Sequence, residues 1–354
     1  MKIVCVAGAR PNFMKIKPVV DALEVRGASV LLVHTEQHYD DAMSAIFLRE
    51  LGLRPPDLFL GGGSGTHAQQ TARVMEAFEP LLLEHSPDAT VVVGDVNSTL
   101  ACALVAAKAP SLLAHVEAGL RSRDRTMPEE INRIVTDGVA DFLFAPSDDA
   151  VDNLLSEGHP RDRIHLVGNV MIDSLLSNLD RAKARPILST LGLPARGYGV
   201  VTLHRPTNVD DPGMLSVLLD AMGKVSARLP LIFPAHPRTR IRLNHMDVPN
   251  QIRVVDPLGY LDFVALESQA RIVFTDSGGV QEETTVLGIP CLTLRDTTER
   301  PITVREGTNL VVGTDPERIT RAALRILEDG LPQRRPALWD GHASERIAEV
   351  LVAP

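Results

Sequence analysis

The residues best suited to chemistry follow short apolar runs. The most specific group is Thr275-Asp276-Ser277-Gly278-Gly279-Val280-Gln281-Glu282-Glu283. A Ser-Gly-Gly turn lets backbone N–H groups approach a phosphate closely, and a helix starting there aims its N-terminal dipole at the same charge. A carboxylate one to two turns along, Glu282 or Glu283, can accept hydrogen bonds from ribose hydroxyls. This is the arrangement expected for a nucleoside diphosphate. A second anion site is offered by Gly8-Ala9-Arg10-Pro11-Asn12-Phe13-Met14-Lys15, a glycine turn with Arg10 and Lys15 at a helix start. It lacks GxGxxG, which speaks against NAD. His204-Arg205 suits a diphosphate, and His236 with Arg238 repeats that chemistry less specifically.

Carboxylates follow other runs: Asp95 after Gly94, Glu117 in His115-Val116-Glu117-Ala118-Gly119-Leu120-Arg121, and Glu129 and Glu130 after Pro128. Acids at converging strand ends can move protons. Plainer alternatives stay open. Asp95 suits an Asx turn, and acids behind a proline at a helix start complement the helix dipole. His204 suits a structural role. Arg295-Asp296-Thr297-Thr298-Glu299-Arg300-Pro301 gathers charge and hydroxyls. The sum suits a nucleotide sugar, with the nucleotide held by the second half and acids supplied by the first.

Such residues need elements to hold them. Strands are expected at Lys2–Ala7, Ser29–His34, Thr90–Gly94, Leu112–Val116, Phe142–Ala145 and His165–Val167. A second series is expected at Gly199–Leu203, Leu231–Phe233, Ile252–Val255, Ile272–Thr275, Cys291–Leu294 and Leu310–Val312. Helical spacing separates most of them, as in Val74–Leu83, Ser98–Lys108, Glu130–Val139 and Met214–Leu229. Alternation of strands and helices implies right-handed βαβ units and parallel sheets. Continuous apolar strands imply sheets covered on both faces.

The fold class is therefore α/β, doubly wound. At 354 residues, two domains are expected. We place them at 1–168 and 169–335, with a terminal helix in 336–354 that crosses back to the first. Ligands of such sheets bind beyond the carboxyl ends of the strands, here in a cleft between the domains. Gly61-Gly62-Gly63-Ser64-Gly65 reads as a loop before a helix capped by Thr66; it lacks the Lys-Ser/Thr ending of a phosphate-binding P-loop.

Composition narrows the function. A net charge of −9 argues against a nucleic-acid binder but leaves anionic small molecules open. No apolar run reaches the ~18 residues needed to span a bilayer. The N-terminus lacks signal-peptide features, so a cytoplasmic protein without membrane partners is expected. Three scattered cysteines, Cys5, Cys102 and Cys291, read as buried hydrophobes rather than disulfides or metal ligands.

Taken together and in order, these blocks resemble the non-hydrolysing UDP-N-acetylglucosamine 2-epimerases. The likeness rests on Gly8-Ala9-Arg10-Pro11, Gly94-Asp95 with Ser98-Thr99, His115 to Arg121, Pro128-Glu129-Glu130 with Asn132-Arg133, His204-Arg205, Asp276 to Glu283, and Thr297 to Pro301. It runs from Gly8 to Gly313. It implies a GT-B fold, with two Rossmann-like domains and UDP in the cleft. It implies reversible conversion of UDP-GlcNAc to UDP-ManNAc, by elimination of UDP across C1–C2 to 2-acetamidoglucal and re-addition after inversion. It implies no metal or other cofactor, a homodimer, and a role in polysaccharide biosynthesis. By position the family's acids fall on Asp95, Glu117 and Glu129, and its active-site histidine on His204. Its UDP contacts fall on Arg10, Lys15, Ser277, Gly278, Gly279, Glu283 and Arg300, with Phe263 against the uracil.

The chemistry agrees with the resemblance. No carbonyl adjoins C2, so its proton becomes acidic only as the C1–O bond breaks. Departing UDP must therefore be stabilised and a carboxylate placed at C2. There are departures: Asn12 stands where many members carry Glu, and the stretch from Arg121 to Pro128 is shorter than in some relatives. Bacterial members are often activated by a second UDP-GlcNAc. The matching positions are Gln37, His38, Gln69, Gln70, Arg205 and His236, and the changed turn leaves that activation open. Rival readings are an epimerase of UDP-2,3-diacetamido-glucuronate, a hydrolysing 2-epimerase, a GT-B glycosyltransferase and a nucleotide-sugar sensor. The segment Thr297 to Pro301 favours UDP-GlcNAc over the diacetamido sugar. The ordered acids favour an epimerase over a transferase or sensor.

Overall fold

The computed structural model describes residues 1–8, 10–35 and 50–353, with Arg10, Pro11 and Arg238 described by backbone alone. The chain forms two compact units, residues 1–177 with 337–354, and residues 178–336.

The first unit is built on a seven-stranded parallel sheet ordered β3-β2-β1-β4-β5-β6-β7. Its strands are β1 (Lys2–Ala7), β2 (Ser29–His34), β3 (Leu58–Phe59), β4 (Ala89–Val93), β5 (Leu112–Val116), β6 (Phe142–Ala145) and β7 (Ile164–Leu166). β4 reads Ala-Thr-Val-Val-Val and is buried throughout, as a central strand covered on both faces must be. Cys5, Cys102 and Cys291 are buried and free, small apolar groups of their cores.

The helix His67–His85 opens earlier than its apolar spacing suggests. Thr66 accepts from the Gln69 N–H, and the Gln69 side chain answers the Thr66 N–H. This reciprocal cap satisfies two donors and starts the helix in a polar stretch that periodicity cannot see. Gln69 is thereby committed to the cap. β3 adds two residues at the sheet edge, too short for any alternation to show.

The second unit holds a six-stranded parallel sheet ordered β10-β9-β8-β11-β12-β13. Its strands are β8 (Gly199–Thr202), β9 (Leu231–Pro234), β10 (Ile252–Val255), β11 (Ile272–Thr275), β12 (Cys291–Thr293) and β13 (Asn309–Val311). Both sheets thus carry the doubly wound order with a reversal at their centres. That reversal lies between β1 and β4 in one sheet and between β8 and β11 in the other. At such a switch point the flanking loops diverge and leave a ligand crevice beyond the strand ends.

The expected boundary at 168/169 moves to 177/178, inside the helix Val170–Lys183. The early turns of that helix are bound to the first unit. Ser174 Oγ donates to the Met14 carbonyl, and the Asp173 carboxylate accepts the Ala343 and Ser344 N–H groups at 3.1 and 2.7 Å. The C-terminal segment belongs to the first unit. Trp339, buried, donates its indole N–H to the Pro146 carbonyl at 2.9 Å, and the helix Ala343–Leu351 packs on Arg10–Val25.

Gly168 makes this return path possible. Its φ is +90°, and a Cβ there would lie 2.1 Å from the Leu338 carbonyl oxygen. Neither backbone can yield cheaply. Gly168→Ala is expected to cost about 2–5 kcal/mol, read as a lower urea midpoint. An unchanged midpoint would show that the C-terminal segment shifts freely.

Candidate functional site

In the first unit the candidate acids gather beyond β4 and β5. Asp95 follows Gly94 at the end of β4, and its carboxylate accepts Arg133 Nη2 at 2.6 Å. Asn132 donates to the Asp95 carbonyl at 2.8 Å. Both partners come from the helix Pro128–Val139, which Pro128 starts. Glu117 follows β5 and is buried, with its backbone in the left-handed region at φ +72°. A side chain other than glycine, Asn or Asp held there is strained by about 1–3 kcal/mol, which is a mark of functional sites.

Lys15 pairs with Glu117 Oε2. Glu117 Oε1 is buried and has no hydrogen-bond partner among the described residues. The acids converge at Gly94: a Cβ there would lie 3.2 Å from Lys15 Nζ and 3.6 Å from Glu117 Oε2. Lys15, expected as a phosphate ligand, therefore sits as the counter-ion of Glu117.

The adjacent residues Glu129 and Glu130 part company. Glu130 is buried. It accepts Ser122 N–H and Oγ at 2.8 and 2.9 Å, Arg123 N–H at 2.9 Å and Arg133 Nη1 at 2.9 Å. It holds the Ser122–Arg123 loop, where Arg123 also has positive φ. Glu129 instead lines a cavity of about 230 Å³ with Asp95, Asn97, Asn132, His67 and Gln70. Gln70, a candidate activator contact, accepts from Asn97 Nδ2 at 2.8 Å beside those acids. The Gly62–Gly63 loop forms another wall of this cavity. Gln37 and His38 lie outside the described residues.

In the second unit the candidate residues stand beyond β8, β11 and β12. Asp276, expected only as part of a turn, is its organising group. It is fully buried and accepts His204 Nδ1 at 2.9 Å, the Arg205 N–H at 3.0 Å and Asn208 Nδ2 at 3.1 Å. Burial opposes its charge, but these hydrogen bonds, led by His204, outweigh burial and hold the carboxyl below its usual range. The ring of His204 is thus fixed through Nδ1, leaving Nε2 for a ligand.

The helix Gly278–Leu287 starts after Ser277 with no side-chain cap, so its first N–H groups are available to an anion. Arg300 lies against this start, its guanidinium carbon 3.9 Å from where a Gly278 Cβ would sit, and it pairs with Glu282. Glu299 binds Arg295 at 2.9 and 3.0 Å and Arg205 at 3.2 Å. Burial opposes its charge too, but these arginines hold its carboxyl well below the usual range. Gln281 ties the helix to the following loop. It accepts Thr298 Oγ1 at 2.6 Å and Asn309 Nδ2 at 3.1 Å. Phe263 is half-buried on the helix Tyr260–Ser268, and His236 is exposed after β9.

Glu283 is buried and faces Glu267 and Tyr260. Burial first, then the charge of Glu282, pushes its carboxyl up to about 8; burial and Glu283 push Glu267 well above its usual range. Two carboxylates can only accept, so this pair bonds internally only while it holds a proton. The folded state therefore keeps protons that the unfolded chain loses above its ordinary value of 4.5. That stability is complete below the unfolded value and is lost as pH rises through the folded one, at up to ~1.4 kcal/mol per pH unit for each proton. The urea midpoint is expected to fall between about pH 5 and about pH 8, and Glu267→Gln to flatten the fall. Equal slopes in both proteins would contradict this.

The profile of the UDP-N-acetylglucosamine 2-epimerase family matches residues 21–352. This chain belongs to that family. Among its relatives, a UDP-N-acetylglucosamine 2-epimerase of Methanococcus maripaludis is 40% identical over 99% of this chain and 98% of its own. A UDP-2,3-diacetamido-2,3-dideoxy-D-glucuronate 2-epimerase of Pseudomonas aeruginosa is 42% identical over 99% of both chains. The crystal structure of the Methanocaldococcus jannaschii UDP-GlcNAc 2-epimerase, in complex with UDP-GlcNAc and UDP, matches with a TM-score of 0.90 at 40% identity and covers all of both chains. As an epimerase family member, the chain has two Rossmann-like units, the makeup of the GT-B class. Among the described residues no helix is long and apolar enough to cross a membrane.

Proposed function

We propose that this epimerase interconverts UDP-GlcNAc and UDP-ManNAc. The carrying observation is Glu117: a buried carboxylate in a strained backbone, one oxygen held by Lys15 and the other without a partner among the described residues. The second unit takes the nucleotide. The open start of the Gly278–Leu287 helix, with Ser277, Gly278, Gly279 and Arg300, receives the diphosphate. Glu283 receives the ribose diol, Phe263 the uracil, and His204 the phosphate nearest the sugar. Arg10, whose side chain lies outside the described residues, belongs to the same reading as a residue type suited to phosphate.

As the C1–O bond breaks, its electron pair leaves with UDP, and the C2 proton passes to a carboxylate. The product is 2-acetamidoglucal. Re-addition returns a proton to the other face of C2 and UDP to C1. A proton that leaves one face and returns to the other calls for more than one acid, and Asp95, Glu117 and Glu129 supply them. Stabilising the leaving group lowers the barrier because charge develops there only in the transition state.

The 42% identical Pseudomonas relative favours a second reading, a UDP-diacetamido-glucuronate substrate. That sugar carries its own carboxylate. The described lining of the cavity beside Asp95 and Glu129 holds neither lysine nor arginine, and with Asp95 already paired to Arg133 a sugar carboxylate would meet Glu129 and no cation of the lining. This supports the neutral sugar. Separate incubations with each UDP-sugar, resolved by anion-exchange chromatography, test the choice. Turnover of the uronate alone would overturn it. Homodimerisation and activation by a second UDP-GlcNAc, at Gln37, His38, Gln70, Arg205 and His236, belong to the same proposal. Sigmoidal rates are its kinetic sign; hyperbolic rates would remove the activation.

A further inference from the structure

His115 is the penultimate residue of β5 but has no part in the proposed chemistry. It is fully buried, with Nε2 2.9 Å from the Gly94 carbonyl oxygen and Nδ1 2.6 Å from Asp137 Oδ1. A carbonyl oxygen can only accept. Asp137 is also fully buried; burial opposes its charge, but His115 and Arg121 outweigh burial and hold its carboxyl below the usual range. Nε2 must therefore donate to the Gly94 carbonyl, and Nδ1 is left to the Asp137 carboxyl.

The other oxygen of Asp137 accepts the Gly119 N–H at 3.1 Å and Arg121 Nη2 at 2.7 Å. Arg121 in turn binds Glu157 through two nitrogens, at 2.9 and 2.6 Å. One ion cluster, buried at His115, Asp137 and Arg121 and open to solvent at Glu157, thus grips two turns by their backbones. One grip is the carbonyl of Gly94, the residue before Asp95. The other is the N–H of Gly119, two residues past Glu117. Gly94, Glu117 and Gly119 all have positive φ, at 74, 72 and 81°. Glycine takes such a φ freely, but Glu117 does not, and a strained residue persists only where surrounding contacts over-determine it.

We propose that His115 and Asp137 are positioning residues that fix the Asp95 turn against the Glu117 turn, the His115 ring acting as the bridge. The catalytic part of this inference rests on the proton-transfer role proposed above for those acids.

Two measurements test it. In protein labelled with ¹⁵N-histidine, long-range ¹H–¹⁵N correlation should show a slowly exchanging proton on Nε2 of the His115 ring, the nitrogen that faces the Gly94 carbonyl. A ring without a proton on Nε2 would overturn the bridge. In His115→Gln and Asp137→Asn, kcat should fall about 10²-fold while KM and UDP affinity hold, because Ser277, Gly278, Gly279 and Arg300, proposed for the diphosphate, lie in the other unit. A folded variant with wild-type kcat would overturn the positioning role. So would a KM rise with kcat kept. If His115→Gln does not fold, Asp137→Asn and the wild-type spectrum decide the question. A wild-type protein inert toward every UDP-sugar would sink the proposed function instead, while the ring proton would still decide the bridge.

Discussion

Glu117→Gln is expected to lower kcat for C2 inversion by about 10²–10⁴-fold and to abolish deuterium entry at C2, with UDP still bound. The substitution keeps size and shape but removes the only state that can take a proton. It also leaves the Lys15 amine beside a neutral amide. A loss of fold would mimic the effect, so cooperative thermal unfolding must accompany the rate. Lys15→Met combined with Glu117→Gln removes the stranded charge. If stability returns in the double variant but activity does not, the loss belongs to the proton chemistry. A Glu117→Gln protein that still exchanges the C2 proton would assign the step to Asp95 or Glu129.

Arg300→Met is expected to weaken UDP binding about 10²-fold, the scale of one lost hydrogen bond to a charged group, ~1.5–3 kcal/mol. Arg300 stands at the helix start that is open to an anion and pairs with Glu282. Its removal strands a buried carboxylate, which costs stability separately. Pairing it with Glu282→Gln separates the two effects. The double variant should recover its unfolding midpoint and still bind UDP weakly, as titration calorimetry would show. Full recovery of UDP affinity would place Arg300 in the scaffold alone.

The strand ends were legible because every candidate acid or cation there follows a short apolar run, and buried parallel strands announce themselves by continuous hydrophobicity. Elements too short or too polar for periodicity escaped. β3 has two residues, and the first turn of His67–His85 is set by a Thr66–Gln69 cap rather than an apolar stripe. The acids were legible as types but not as roles. Glu129 and Glu130 are neighbours in sequence, yet one lines a cavity and the other binds Ser122, Arg123 and Arg133. The partners that orient the candidate residues were the least visible. Asp276 lies 72 residues from His204, and Asp137 lies 22 from His115. No spacing rule spans such gaps, because only the sheet order brings those strand ends together.

Proton and phosphorus NMR of the protein with UDP-GlcNAc in D₂O tests the central claim most directly. The account predicts a new UDP-ManNAc anomeric signal, with deuterium at C2 of both sugars and phosphorus signals that remain those of a UDP-sugar. Free ManNAc with UDP, or an unchanged spectrum while UDP still binds, would contradict it.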